Sequence, residues 1–264
     1  MRHHVRLIWA YFRTSLQRET AFQANFYINV MNTALGLFSG LAGITILFSQ
    51  VETFQGWTYP QALALLGVFM TIGPLLNLFI WPSLNTLGDL GGEVWQGTFD
   101  FTLLKPVSAQ FQITFRNWGL WEVVNLAVGL AVLGRALTLM GQSLTPSNLA
   151  AFIFSMVIAM LIGYSILLIL TTGVFYYLGA PLSWVFGILI EMGRYPIGIY
   201  PYWIRLLLTW VIPVGFMTTI PTQVLVGQGQ GVMLLSGAVL ALLLLLVSSV
   251  FFRRSIKRYA SASS

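Results

Sequence analysis

Cysteine is absent from this 264-residue sequence, which excludes disulfides and thiolate metal sites and leaves the redox compartment unmarked. Charge is nearly as scarce: 8% of residues are charged and 57% are hydrophobic, where a water-solvated domain carries about 25% charged residues. A surface so poor in charge has to be solvated by lipid. The acids are Glu19, Glu52, Asp89, Glu93, Asp100, Glu122 and Glu191, and most fall between apolar runs rather than converging as an active site requires. Lys105 and Lys257 are the only lysines, and neither closes the Gly-x-x-x-x-Gly-Lys-Ser/Thr run of a Walker loop. No nucleophile elbow is present. His3 and His4 adjoin each other without a third ligand nearby, so they do not indicate a metal. These absences argue against an enzyme and against a cofactor or metal bound by this chain.

What the sequence does contain is apolar runs of spanning length. A helix needs about 20 apolar residues to cross roughly 30 Å of hydrocarbon. Six runs are expected as spans: 25–49, 61–84, 117–140, 149–177, 181–195 and 231–252. Gly179, Ala180 and Pro181 separate the fourth from a short fifth, because proline lacks the donor and clashes with the preceding turn. Ahead of them, residues 4–22 read as an amphipathic helix lying in the membrane interface. Val5, Ile8, Trp9, Phe12 and Leu16 share one face, and Arg6, Arg13 and Arg18 lie off it. Those arginines interrupt every early apolar run, so no secretory signal peptide is expected. Residues 200–227 are apolar but broken at Pro201, Pro213 and Pro221. They read as two short re-entrant helices, since irregular backbone at membrane depth must be covered by protein or line a cavity. The competing reading is one span kinked at Pro213. The expected fold is thus an all-α integral membrane protein, a single transmembrane unit over 1–264 with six transmembrane helices. An N-terminal elbow helix and the re-entrant pair between the fifth and sixth spans complete it.

The net charge of +6 does not imply nucleic acid, because the basic residues gather beside apolar segments. Six spans place Arg2, Arg6, Arg13, Arg18, Lys105, Arg116, Arg253, Arg254, Lys257 and Arg258 on one side, leaving Arg135, Arg194 and Arg205 on the other. Seven would set the basic C-terminal tail against the basic N-terminus, contrary to the positive-inside rule. Both termini are therefore expected in the cytoplasm, with the protein in the plasma (inner) membrane.

Polar residues inside the spans are the candidates for a path. Asn29, Asn32, Asn77 and Asn125 are amides at membrane depth, where hydrogen bonding between helices is the ordinary role. Asn29 and Asn32 lie on one face, and Asn77 follows Pro74. Glu191 and Arg194, three apart, are spaced to pair across one turn, and charge inside a span is otherwise costly. Asn29, Asn32, Asn77, Glu191 and Arg194 form the candidate translocation path. Glu122, beside Trp118 and Trp121, is expected near the interface.

The longest cytoplasmic connection, 85–108, mixes acids with exposed aromatics and suggests docking of a protein partner. Its candidates are Asp89, Glu93, Trp95, Gln96, Asp100 and Lys105. Within it, Gly97-Thr98-Phe99-Asp100-Phe101-Thr102-Leu103-Leu104-Lys105-Pro106-Val107 resembles the G-x-x-D-x-x-L-x-[K/R]-P signature after the second span of type-2 ABC exporter permeases. More narrowly it looks like the viologen-type exporter permeases. Tyr195-Pro196-Ile197-Gly198-Ile199-Tyr200-Pro201, Leu208-Thr209, Ile212-Pro213 and Pro221 resemble that subfamily's second signature, and the likeness runs almost end to end.

The resemblance implies a permease subunit that pairs with a second permease, as homodimer or heterodimer. It also implies a cytosolic ATP-binding cassette ATPase that holds the ATP and Mg. In that family the loop after the second span forms a coupling helix seated on the ATPase beside the elbow helix, and the second and fifth spans line the export path. The chain's own features give two rival classes. An ion-coupled secondary transporter would need intramembrane acids and usually internal repeats, and no repeat is found here. A non-transporting membrane scaffold is the third. The substrate is expected to be amphipathic or lipid-like, with membrane lipid as the surrounding partner and no nucleic acid.

Overall fold

Backbone polar groups in lipid must be satisfied within the chain, which leaves the helix as the default element. The computed structural model describes residues 2–21, 23–88, 91–141, 145–177, 183–229 and 231–259, and helix dominates throughout. The helices are α1 (Arg2–Ala21), α2 (Gln23–Phe48), α3 (Tyr59–Phe79), α4 (Trp81–Gly88), α5 (Phe99–Leu103) and α6 (Ala109–Phe115). After them come α7 (Glu122–Met140), α8 (Pro146–Thr172), α9 (Ser183–Glu191), α10 (Tyr202–Leu206), α11 (Thr219–Leu225) and α12 (Gly231–Ile256). A two-stranded hairpin, β1 (Thr53–Phe54) and β2 (Trp57–Thr58), joins α2 to α3. Its turn residues Gln55 and Gly56 both have positive φ, as a tight hairpin demands.

Five helices are long and apolar enough to cross a membrane, in α2, α3, α7, α8 with its 3-10 extension to Phe175, and α12. The count reaches six if the bent pair Tyr202–Val211 and Val214–Leu225 is one span. The chain is an all-α, multi-pass membrane protein. The expected fifth span, 181–195, has residues 181 and 182 outside the described residues, and its helix is described from Ser183. Its described part is the 9-residue α9 followed by a 3-10 turn, Met192–Arg194, about 14 Å of α-helix at 1.5 Å per residue.

Two other boundaries move for a shared reason. The second run breaks at Ile80 (φ −126, ψ −56) instead of continuing to residue 84. Pro82 has no N–H for the Leu78 carbonyl four residues back, and that carbonyl accepts the Gly119 N–H at 3.1 Å instead. The third run begins at Glu122 rather than residue 117, because Asn117–Trp121 form an irregular corner in which the N–H groups of Trp118, Gly119, Leu120 and Trp121 are spent on other elements. Within 200–227, α10 runs into a π-helical turn, Leu207–Val211, and the chain bends by 70° before α11. Ile212 and Pro213 lie at this break, as expected.

Packing centres on α3, whose Ala64, Leu65, Val68, Ile72 and Leu76 are fully covered. It lies along α7, and α8 lies along α12. Small residues let backbones approach in membranes. A Cβ on Gly129 would lie 2.2 Å from the Met70 carbonyl oxygen, and one on Gly67 would lie 2.8 Å from the Leu133 nitrogen. The Met70 carbonyl lacks an in-helix donor because Pro74 stands four residues on. The carbonyl that Pro74 leaves without a donor is thus the one against which Gly129 packs in the α3–α7 contact. Outward faces of α2 and α12 stay apolar and uncovered, with Phe38, Leu35, Val232 and Leu235 more than half exposed, as lipid-facing surfaces are.

Candidate functional site

A cavity of about 400 Å³ opens between α2, α3, α7 and α9. All five path candidates, Asn29, Asn32, Asn77, Glu191 and Arg194, line it, and so do Glu122 and Asn125. Helical periodicity places them there. On α2, Asn29, Thr33 and Gly36 follow at spacings of four and three, and on α3, Phe69, Gly73 and Asn77 recur every fourth residue, each set on one face. Sequence reasoning found the amides and the ion pair but missed Thr33, Phe69, Trp81 and Phe186. The four-residue spacing of Phe69 and Gly73 ahead of Asn77 was the available signal.

The polar wall is cross-linked. Asn125 donates to Glu122 at 2.7 Å, and the Thr33 hydroxyl is placed between the Asn29 carbonyl and the Asn125 side-chain oxygen. That tie joins α2 to α7. The expected Glu191–Arg194 pair forms at 2.8 Å across one turn. Arg194 also donates to Ser39 at 3.3 Å and lies 5.2 Å from the Phe69 ring centre, a cation–π distance. Its Nε is buried without a hydrogen-bond partner. The cavity therefore presents amides, two carboxylates and a guanidinium beside Phe69, Trp81 and Phe186. Such a lining sets polar and charged groups beside apolar aromatic walls.

The 85–108 segment is a folded corner. Asp89 lies outside the described residues. Glu93, expected on the exposed face, is turned inward instead. It pairs with Arg116, and its other oxygen accepts from Thr102 at 3.0 Å. Arg116 donates further to Thr86 at 2.7 Å, so one guanidinium ties α4, the turn and α5 together. The pairing wins because a carboxylate and a guanidinium brought together away from water attract strongly. Phe99 is fully buried against Phe175 and Tyr259. Asp100 lies beside Tyr259, whose phenol is pushed up by burial first and by the Asp100 carboxylate second. Large apolar side chains remain outward. Trp95 is 51% exposed, Phe101 67% and Leu104 80%, with Gln96 and Lys105 also exposed.

The α6–α7 corner receives α1. Glu19 accepts the N–H groups of Leu120 and Trp121 at 2.9 and 3.1 Å, just ahead of α7, where the helix dipole favours negative charge. Ser15 accepts the Trp118 N–H at 3.1 Å, and Arg18 donates to Asn117 at 3.0 Å. Burial raises the Glu19 carboxyl above its ordinary value, and the two N–H bonds partly offset this. His3 and His4 lie on α1. Among the described residues no group of His, Cys, Asp and Glu is arranged to hold a metal.

The arrangement is a helical membrane bundle with a polar cavity and a folded corner between spans. A family model described as ABC-2 family transporter protein matches residues 34–263, most of the chain, and the chain belongs to that family. No curated protein and no solved structure matches it. Membership makes it a permease component of an ABC transporter, a non-catalytic membrane subunit whose ATPase activity resides in a partner ATP-binding subunit.

Proposed function

We propose that the chain is the permease of an exporter that moves an amphipathic or lipid-like solute by alternating access. The α2–α3–α7–α9 cavity is the binding station on its path. The observation that carries this reading is the convergence of Asn29, Asn32, Asn77, Glu191 and Arg194 on one cavity with aromatic walls. Polar groups at membrane depth are expensive unless they are paired or serve a solute, and here several share one opening. ATP binding in the partner closes its two halves and biases the bundle between inward-open and outward-open states.

In this reading two permeases pair, as homodimer or heterodimer. Trp95, Gln96, Phe101, Leu104 and Lys105 form the surface on which the ATPase docks, with Asp100 at its edge and α1 beside it. Glu93 acts from behind, holding the corner in shape. Helix α1 serves as the interfacial elbow, and α10 and α11 enter the membrane and return. Both termini and the docking corner face the cytoplasm of the inner membrane. The viologen-type resemblance around Tyr195–Pro201 supports reading the chain as a member of that subfamily.

Co-expression with the cognate ATP-binding cassette ATPase tests the reading. A stoichiometric complex should purify, and in proteoliposomes its ATP hydrolysis should rise with a transported amphipathic solute. Asn77→Leu should abolish that rise while leaving complex formation intact. Solute-stimulated hydrolysis that ignores substitutions throughout the cavity would move the path elsewhere.

A further inference from the structure

A second opening, of about 660 Å³, lies between α1, α6, α8 and α12 and shares no residue with the α2–α3–α7–α9 cavity. Its volume falls within the roughly 300–1,000 Å³ of ligand sites. Most of its wall is apolar, contributed by Phe79, Phe111, Phe115, Trp118, Met160 and Leu245. Its chemistry changes along one helix. Leu245, Ser249 and Arg253 line it from α12 at four-residue spacing and so on one face. Over about 12 Å of rise the wall passes from hydrocarbon to hydroxyl to guanidinium.

A polar knot fastens the middle of the groove. Gln110 gives its amide hydrogens to the Tyr164 hydroxyl at 3.0 Å and to Ser249 at 2.9 Å, and Thr114 and Tyr164 share a bond of 3.1 Å. Tyr164 is 8% exposed. With both amide hydrogens spent, the Gln110 carbonyl oxygen remains an acceptor at the groove. Among the described residues the lining holds one cation, Arg253, and no carboxylate. An ammonium-bearing headgroup would find no counter-ion there, whereas an anionic one would. Arg253 is exposed in the last turn of a span, the depth at which a basic side chain meets lipid phosphate.

We propose that this groove is a binding site for one anionic phospholipid, with an acyl chain along Phe111, Met160 and Leu245 and its phosphate on Arg253. Such a lipid bridges α1 and α6 to α12 and is separate from the solute that traverses the other cavity.

Native mass spectrometry of the detergent-solubilised full-length protein, titrated with phosphatidylglycerol or phosphatidylcholine, tests this. The wild type should retain one phosphatidylglycerol per chain in preference to phosphatidylcholine. Removing a charge-assisted contact by Arg253→Gln should lower phosphatidylglycerol affinity about tenfold. Arg254→Gln, outside the groove, should leave it unchanged. Leu245→Trp, which fills the tail end, should lower retention of phosphatidylglycerol as well. Equal retention of the two lipids by the wild type, or no effect of Arg253→Gln, would overturn the proposal. An unaffected Leu245→Trp protein would place the acyl chain elsewhere and overturn it too. Displacement of the bound lipid by inorganic phosphate would show a phosphate site instead.

Discussion

Arg116, at the end of α6, reaches across 23 residues of chain to grip Glu93, and this bond sets the shape of the corner between the second and third long spans. The side chains are 17% and 22% exposed, so the pair is worth more than a surface ion pair and less than a fully buried one. Arg116→Gln should cost about 1–3 kcal/mol in thermal or denaturant unfolding in detergent. Glu93→Gln should cost less, since it keeps an acceptor for Thr102. The double variant should lose less than the two singles added together; strict additivity would mean the two residues act independently.

The α3–α7 contact gives a sharper stability test. Gly129→Ala sets a methyl against the Met70 carbonyl at 2.2 Å, and overpacking of this kind costs about 1–3 kcal/mol. At Gly134, in the same helix, an added methyl meets nothing within 4 Å. Gly134→Ala should therefore be neutral or stabilising by up to about 1 kcal/mol. Equal melting temperatures for the two variants would contradict the packing described.

Glu19 carries a pH dependence whose sign follows from its raised carboxyl value. A carboxyl raised on folding contributes stability in full below the ordinary glutamate range, and this is lost as pH rises through the raised value. Attachment of α1, followed by hydrogen exchange across α1 and the Leu120–Trp121 amides, should weaken from acid toward neutral pH. Glu19→Gln should flatten that slope. A slope of the opposite sign would mean that the two N–H bonds outweigh burial.

Trp95 is the test of the docking surface. An aromatic anchored in a partner's pocket dominates an interface, so Trp95→Ala should weaken ATPase binding by about 2 kcal/mol or more. Lys105→Ala, at an exposed charge, should cost about 1 kcal/mol or less. Because affinity is measured in detergent, a Trp that merely anchors the corner in lipid would show no loss.

Much of this was legible locally. The long spans follow from apolar run length, the Glu191–Arg194 pair from its spacing of three, and the break at Pro213 from the missing donor. Asn29 and Asn32 declared a shared face. What was not legible depends on chain neighbours far apart. Glu93 looked like a solvated acid because nothing near it in sequence announces Arg116. The Gly119 bond that shortens α3 appears only once the freed Leu78 carbonyl is traced to its acceptor role. Glu19 meets residues a hundred positions on, and no local pattern marks that.

Sidedness has its own check, made simple by the absence of cysteine. Single cysteines at Lys105, Gln50, Tyr202 and Gln228, all exposed, can be probed with an impermeant thiol reagent. Lys105→Cys should react only from the cytoplasm and Gln50→Cys only from outside. Tyr202→Cys and Gln228→Cys should both react from outside if α10 and α11 enter and return. Reaction of those two from opposite sides would make the pair a kinked span.

The central claim, that the cavity alternates between the two sides under ATP, is tested most directly at Asn32, which lines it and is exposed. In the complex with the ATPase, Asn32→Cys should label from the cytoplasm without nucleotide and from outside when ATP is bound but hydrolysis is blocked. Labelling from one side only, whatever the nucleotide, would contradict alternating access through this cavity.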